Sequence, residues 1–203
     1  YNNSGVVVAT TNSSVAGYYS FTNLAAGTYT VGFTPPAGYL FTSSNVGGDS
    51  TDSDPLAGTN RTASITMAGG QTDLTVDAGF YQLASLAGSV RVDVDGDGVI
   101  DAEDTVGIAG VTVQLLDVSS NVVATTATSG TGNYSFANVT PGSYTVVQTL
   151  PAGYTNAADV AAPNDLRIPR TLTSGQNSTG NDFYDTRSGS ATAQNKVLYL
   201  SDP

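Results

Sequence analysis

The sequence has no cysteine, no histidine and no tryptophan, one methionine, and only six basic residues among 203. Each absence removes a class of chemistry. Without Cys or His there is no thiolate nucleophile, no Ser-His-Asp triad and no Cys/His zinc site, and no disulfide can brace a core. The six basic residues stand against 17 acidic ones, a formal net charge of −11. Repulsion at that charge opposes phosphate backbones and anionic lipid surfaces, so neither nucleic acid nor membrane insertion is expected, whereas cations are natural partners. No apolar run approaches the roughly 18 residues that cross a bilayer, and Tyr1-Asn2-Asn3-Ser4-Gly5 has no basic stretch leading into an apolar one. A mature or excised piece of an exported protein is expected.

What is present is a repeat. Val7-Val8-Ala9-Thr10-Thr11, Gly17-Tyr18-Tyr19-Ser20-Phe21, Gly27, Tyr29 and Pro36-Ala37-Gly38-Tyr39 recur 115 positions later as Val122-Val123-Ala124-Thr125-Thr126, Gly132-Asn133-Tyr134-Ser135-Phe136, Gly142, Tyr144 and Pro151-Ala152-Gly153-Tyr154. Both copies close on a Phe-Tyr pair, Phe80-Tyr81 and Phe183-Tyr184. Apolar and polar residues alternate over four to seven positions between Gly, Asn, Asp and Pro clusters, the period of half-buried antiparallel strands, and helical periodicity is nearly absent. Gly27 and Gly142 fall where a hairpin would turn. The expected fold is all-β: two tandem Greek-key, prealbumin-like β-sandwiches of roughly 100 residues each. The boundaries are 1–82 for copy one, 83–187 for copy two, and 188–203 for a tail.

Copy one has no counterpart of residues 85–115, so it lacks the strand bearing Leu86, Val90 and Val92 and the strand bearing Val111, Val113 and Leu115. At about 1.5 to 3 kcal/mol for each large aliphatic side chain buried, copy one is not expected to fold well alone. Two explanations stand side by side. The missing strands lie upstream of Tyr1, or a neighbour supplies them by strand addition, with Val197, Leu198, Tyr199 and Leu200 of the tail as a donor strand and copies joined head-to-tail. A single tail strand cannot replace two.

Between the two strands that only copy two has, Asp93-Val94-Asp95-Gly96-Asp97-Gly98-Val99-Ile100-Asp101-Ala102-Glu103-Asp104 places six carboxylates in twelve residues. The spacing matches a calcium loop, with Asp93, Asp95 and Asp97 at positions 1, 3 and 5, the Val99 carbonyl at 7, Asp101 at 9 and Asp104 at 12. Oxygen ligands in this number favour Ca2+ over softer metals. Strands rather than helices flank the loop, so the ion is expected to be structural, with Ile100 as an apolar anchor. Asp49, Asp52 and Asp54 form a weaker candidate with no strict template.

These segments, with Gly110-Val111-Thr112-Val113-Gln114-Leu115, Pro141-Gly142-Ser143-Tyr144 and the repeated Pro-Ala-Gly-Tyr, resemble the calcium-binding B domains of serine-aspartate-repeat surface adhesins, which are Cna-B-like sandwiches. The resemblance implies a secreted or cell-surface stalk stiffened by calcium at the 93–104 loop. Some Cna-B-like modules cross-link Lys to Asn, but the one lysine is Lys196 in the tail, so no such bond is expected in either core. The expected function is that of a non-enzymatic extracellular structural protein, a subunit of a surface fibre or stalk. The alternative is an adhesin or carbohydrate-binding module using exposed Tyr residues such as Tyr1, Tyr18 and Tyr39. Asn-x-Ser/Thr triplets, among them those at Asn12, Asn60, Asn133 and Asn177, offer acceptors for covalent glycans.

Overall fold

The structure is a computed structural model and describes residues 1–189. It divides into two units, Tyr1–Gln82 and a second beginning at Leu83. The described residues form strands and no helix.

The second unit is a two-sheet sandwich. Its first strand, β5 (Ala84–Val92), pairs antiparallel with β8 (Asn133–Val139). It also pairs in parallel with β12 (Asn177–Ser178) and then with β13 (Phe183–Arg187), which continues to β10 (Tyr154–Asp159). The other sheet runs β11 (Arg167–Leu172), β9 (Gly142–Gln148), β6 (Thr112–Leu116), β7 (Val122–Ala127). Alternation decides which side chains go inside. Leu86, Val90, Val92, Val111, Val113 and Leu115 are all buried, the last five at 6 % exposure or less and Leu86 at 0 %, packed with Phe136, Val146, Ile168 and Phe183.

The Gly142 position corrects the hairpin expected there. β8 and β9 belong to different sheets, so residues 140 and 141 carry the chain across the sandwich rather than back along a neighbour. A Greek-key sandwich needs such crossings, and alternation within each strand gives no signal of them.

The first unit keeps local features of the second and loses its long strands. β1 (Gly27–Tyr29) pairs with β3 (Ile65–Met67), and Gly27↔Met67 reproduces Gly142↔Leu172. β2 (Leu40–Phe41) pairs with β4 (Phe80–Tyr81). Tyr29 donates to Ala25 O as Tyr144 donates to Thr140 O, and the edge-to-face pair Tyr19–Phe21 repeats Tyr134–Phe136. The strand-like segments 7–11 and 17–21, however, do not form strands. Their equivalents β7 and β8 bond to β6 and β5 respectively, and this unit contains neither partner.

One buried pair spans the sandwich of unit two. Asp185 is fully buried on β13 and its Oδ2 accepts from Gln148 Nε2 on β9, while Asp185 Oδ1 and Gln148 Oε1 have no partner. Burial pushes the Asp185 carboxyl up to about 6, against the opposing effect of the Gln148 hydrogen bond. The folded state therefore holds this proton more tightly than the unfolded chain does. Its contribution to stability is full below the ordinary value of 3.8 and is lost as pH rises through about 6. Asp185→Asn removes the charge and supplies a donor for Gln148 Oε1. In metal-free buffer the melting temperature of wild type minus that of the variant is expected to fall between pH 4 and 7, measured by calorimetry; a constant difference would show that Asp185 does not titrate there.

Candidate metal centre

The acidic loop begins where β5 ends, and its first residue is fixed by its surroundings before any ion is considered. Asp93 N donates to Asp185 O at 3.1 Å, which ties the loop to β13. The Asp93 carboxylate is 2 % exposed and accepts three hydrogen bonds, from Gly96 N (2.8 Å) at Oδ1 and from Gly98 N (3.2 Å) and Thr186 Oγ1 (3.0 Å) at Oδ2. Gly96 and Gly98 have φ of +75° and +74°, a conformation that costs Gly little and other residues more, and it lets the chain coil around Asp93.

Further along, each acid turns the chain with its own side chain. Asp95 Oδ1 accepts from Asp97 N, Asp97 Oδ1 from Val99 N and Asp101 Oδ1 from Glu103 N, all Asx-type turns. Asp104 is 3 % exposed and closes the loop, its Oδ1 accepting from Val94 N (2.9 Å) and its Oδ2 from Asp101 N (3.3 Å). Arg91 Nη1 lies 3.4 Å from Asp104 O.

The result is a group of three carboxylates, Asp93, Asp95 and Asp97, each with an oxygen within 4.8 Å of the others. Asp101 and Asp104 are not in that group. The Asp104 carboxylate accepts the two backbone hydrogen bonds that close the loop. Ile100 does not serve as an apolar anchor. It is 38 % exposed, and the return to the core is made by Ile108, at 6 %, after Gly107 bridges to Arg91.

The carboxylates of the loop repel one another. Asp95 accepts a hydrogen bond from Asp97 N, which lowers its pKa, yet desolvation and the charges of Asp97, Asp101 and Asp93 outweigh it and leave the carboxyl above its ordinary value. An all-oxygen donor set with this repulsion suits a hard divalent cation.

The weaker candidate does not assemble in the same way. Among the described residues only Asp93, Asp95 and Asp97 form a three-acid group, and Asp49, Asp52 and Asp54 do not. Asp54 accepts from Asp77 N at 2.7 Å while its own N donates to Asp77 O, so it joins two chain segments. Burial raises the pKa of both Asp54 and Asp77, and neighbouring carboxylates add to the shift. In the equivalent stretch of unit two, Asp159 accepts from Ala161 N and Asp165 N, and Arg170 donates to Asn181 rather than to an acid. The tail segment Val197–Leu200 lies outside the described residues.

Comparison with known proteins gives the chain a family. The model of the SdrD B-like domain matches residues 1–80 and again residues 84–180. The chain belongs to the SdrD B-like domain family. Among curated relatives, serine-aspartate repeat-containing protein F of Staphylococcus epidermidis is 35 % identical over 164 residues, covering 79 % of this chain and 10 % of that protein. Protein E of Staphylococcus aureus is 36 % identical over 166 residues, covering 81 % and 14 %. The chain thus spans a small part of these relatives. Solved structures to which the chain shows a weaker likeness include the Bacillus anthracis TIE protein (TM-score 0.42, 18 % identity, 86 % of this chain and 28 % of that one). The shaft pilin SpaA of Lactobacillus rhamnosus GG is another (TM-score 0.37, 13 % identity, 88 % and 67 %).

Thr186 is the site residue that sequence spacing does not reveal, since it lies 93 positions from the carboxylate it holds. Thr186→Val deletes the donor to Asp93 Oδ2 and keeps the shape. Loss of an outer-shell partner typically weakens a metal site about 10- to 100-fold. A roughly tenfold weaker affinity is expected in calorimetric titration with calcium as the probe, and an unchanged affinity would place Thr186 outside the site.

Proposed function

We propose that this SdrD B-like tandem is a calcium-stiffened structural module, a length of stalk or fibre at the cell surface, with Asp93, Asp95 and Asp97 holding the ion and the Val99 carbonyl, Asp101 and Asp104 completing or closing the loop. Membership of a non-enzymatic surface family sets the location outside the cell or on its surface. The observation that carries the calcium part is the position of Asp93. Its backbone bonds to β13 through Asp185 O, and its carboxylate bonds to β13 through Thr186 Oγ1.

That position matters because β5 and β13 are the first and last described strands of unit two and run parallel, with Val90↔Phe183, Arg91↔Tyr184 and Val92↔Asp185 in register. Tension applied through the two ends of the unit loads those hydrogen bonds together, in shear, instead of peeling them one at a time. An ion bound to Asp93 neutralises the loop and holds it against the same pair of strands. A module built to transmit force benefits from a brace at that junction.

Head-to-tail polymerisation by strand addition is a second reading, favoured by the unpartnered strand positions of unit one. A glycan-binding role has less support: the chain has no Trp, and Tyr18, at 80 % exposure, is a lone exposed ring on its loop.

Single-molecule pulling on the full chain tests the stalk reading. The unfolding force of unit two is expected to drop when calcium is chelated and to recover on its return. Asp93→Asn should hold the low force at all calcium concentrations. Equal forces with and without calcium would remove the ion from the function.

A further inference from the structure

The four-stranded sheet of unit two ends on an open edge. β7 bonds to β6 on one side, with Thr112↔Ala127, Val113↔Thr126, Gln114↔Thr125 and Leu115↔Ala124 in register, and among the described residues of the unit no strand pairs with its other side. Backbone parity decides which groups are left over. Thr128 N donates to Val111 O and Thr149 N donates to Thr112 O, so the odd-numbered residues of β6 face β7 and the even-numbered ones face β9. Ala124 and Thr126 therefore direct their N–H and C=O groups at β6, while those of Thr125 and Ala127 point away from the sheet. The register shift of this pair falls before Ala124, which leaves Ala124 to Ala127 as a regular length of edge.

The other edges of this sandwich carry devices that oppose pairing. β11 presents Arg167, Pro169 and Arg170, and the proline has no N–H to give. β10 is bulged between Asn156 and Ala158, ends on Asp159, and has its Ala157 carbonyl taken by Asn164 Nδ2. β8 is interrupted by Asn138, at a φ of +57°, and β12 is two residues long. β7 has none of these from Ala124 onward. Thr125 and Ala127 are exposed, and Val122 and Val123 beside them are 52 % and 50 % exposed. No residue from Val118 to Ala158 is charged, in a chain whose net charge is −11.

We propose that the β7 edge is a side-by-side contact between two copies of this chain, in which β7 of each pairs antiparallel with β7 of the other about a two-fold axis at Thr126. Thr125 of one copy then stands opposite Ala127 of the other, each such pair exchanging both backbone hydrogen bonds, and the two four-stranded sheets become one. The facing side chains are small, and in this register Val122 and Val123 fall beside the partner copy's Ser129-Gly130 turn. Charge selects the occupant. Two chains that each carry −11 repel on approach, and this neutral edge is where they meet with the least cost. A partner that recognises charge finds none here, whereas a second copy brings an edge that is equally uncharged and already shaped to pair. A contact of one strand per copy lies well below the roughly 1,200 Å² of a stable complex, so it is weak between free chains and strengthens where many chains are held close together on one surface. It adds a lateral contact to the stalk reading and does not depend on the acidic loop.

The test is amide hydrogen exchange on the full chain, read by NMR as its concentration rises from roughly 10 μM to roughly 1 mM. Exchange at Thr125 and Ala127 is expected to slow by about fivefold, while Ala124 and Thr126, already bonded to β6, stay as they were. Added salt should increase the effect by screening the like charges of the two chains. Thr125→Glu sets two carboxylates across the axis and should abolish the concentration dependence, and Thr125→Val should keep it; both positions are exposed, so the melting temperature of unit two, measured alongside, should not move. Exchange independent of concentration overturns the proposal, whether the two amides are unprotected throughout or protected throughout by another part of the same chain. Protection that appears on β10 or β11 instead, or that salt removes, also overturns it, since a different edge or an ionic contact would then join the copies.

Discussion

Strand β5 hydrogen-bonds to β8 and, in parallel, to β12 and β13, and the acidic loop leaves from its end. Nearly every feature of the second unit depends on it. It buries Leu86, Val90 and Val92, it fixes β8 in place, and it sets Asp93 against β13. Where no β5 exists, as in unit one, a segment with the same alternation as β8 stays irregular. A strand is a property of a pair of backbones, because an extended segment with unpaired N–H and C=O groups gains nothing over hydrated coil.

Asp93 also explains how a polar loop and an apolar core are coupled. Its side chain is nearly inaccessible, yet it is the first acid of a cluster whose other members, Asp95 and Asp97, are exposed. Three donors hold its carboxylate in place, and Thr186 and the Asp185 carbonyl join it to β13.

Much of this was legible in the residues alone. The 115-residue repeat, the all-β alternation, the six core side chains of residues 86–115 and the grouping of Asp93, Asp95 and Asp97 all follow from spacing, because a period of two and an Asp-x-Asp-x-Asp-Gly turn are local properties. What failed was non-local. The segments 7–11 and 17–21 have strand sequence but no partner. The turn before Gly142 crosses between sheets, a choice made by β5 and β6 and not by the turn. Ile100 occupies a position whose role in a helix-flanked loop assumes a helix to pack on. Here strands flank the loop, and Ile108 enters the core instead. Thr186 was invisible for the same reason: no spacing rule joins residues 93 apart.

The low charge density of the chain gives these few acids their weight. Charged residues are 11 % of the sequence, and six of the 17 acids sit in the twelve residues from Asp93 to Asp104. Spread over the surface, such charges would be screened within about 8 to 10 Å and would matter little to the fold. Confined to one loop they repel at short range, and this repulsion together with desolvation pushes the Asp95 carboxyl above its ordinary value against the Asp97 backbone hydrogen bond. On the proposed reading, a cation bound there would turn that repulsion into attraction, and Asp93, bonded to β13 through the Asp185 carbonyl and the Thr186 hydroxyl, is the point at which the loop meets the paired end strands of the unit.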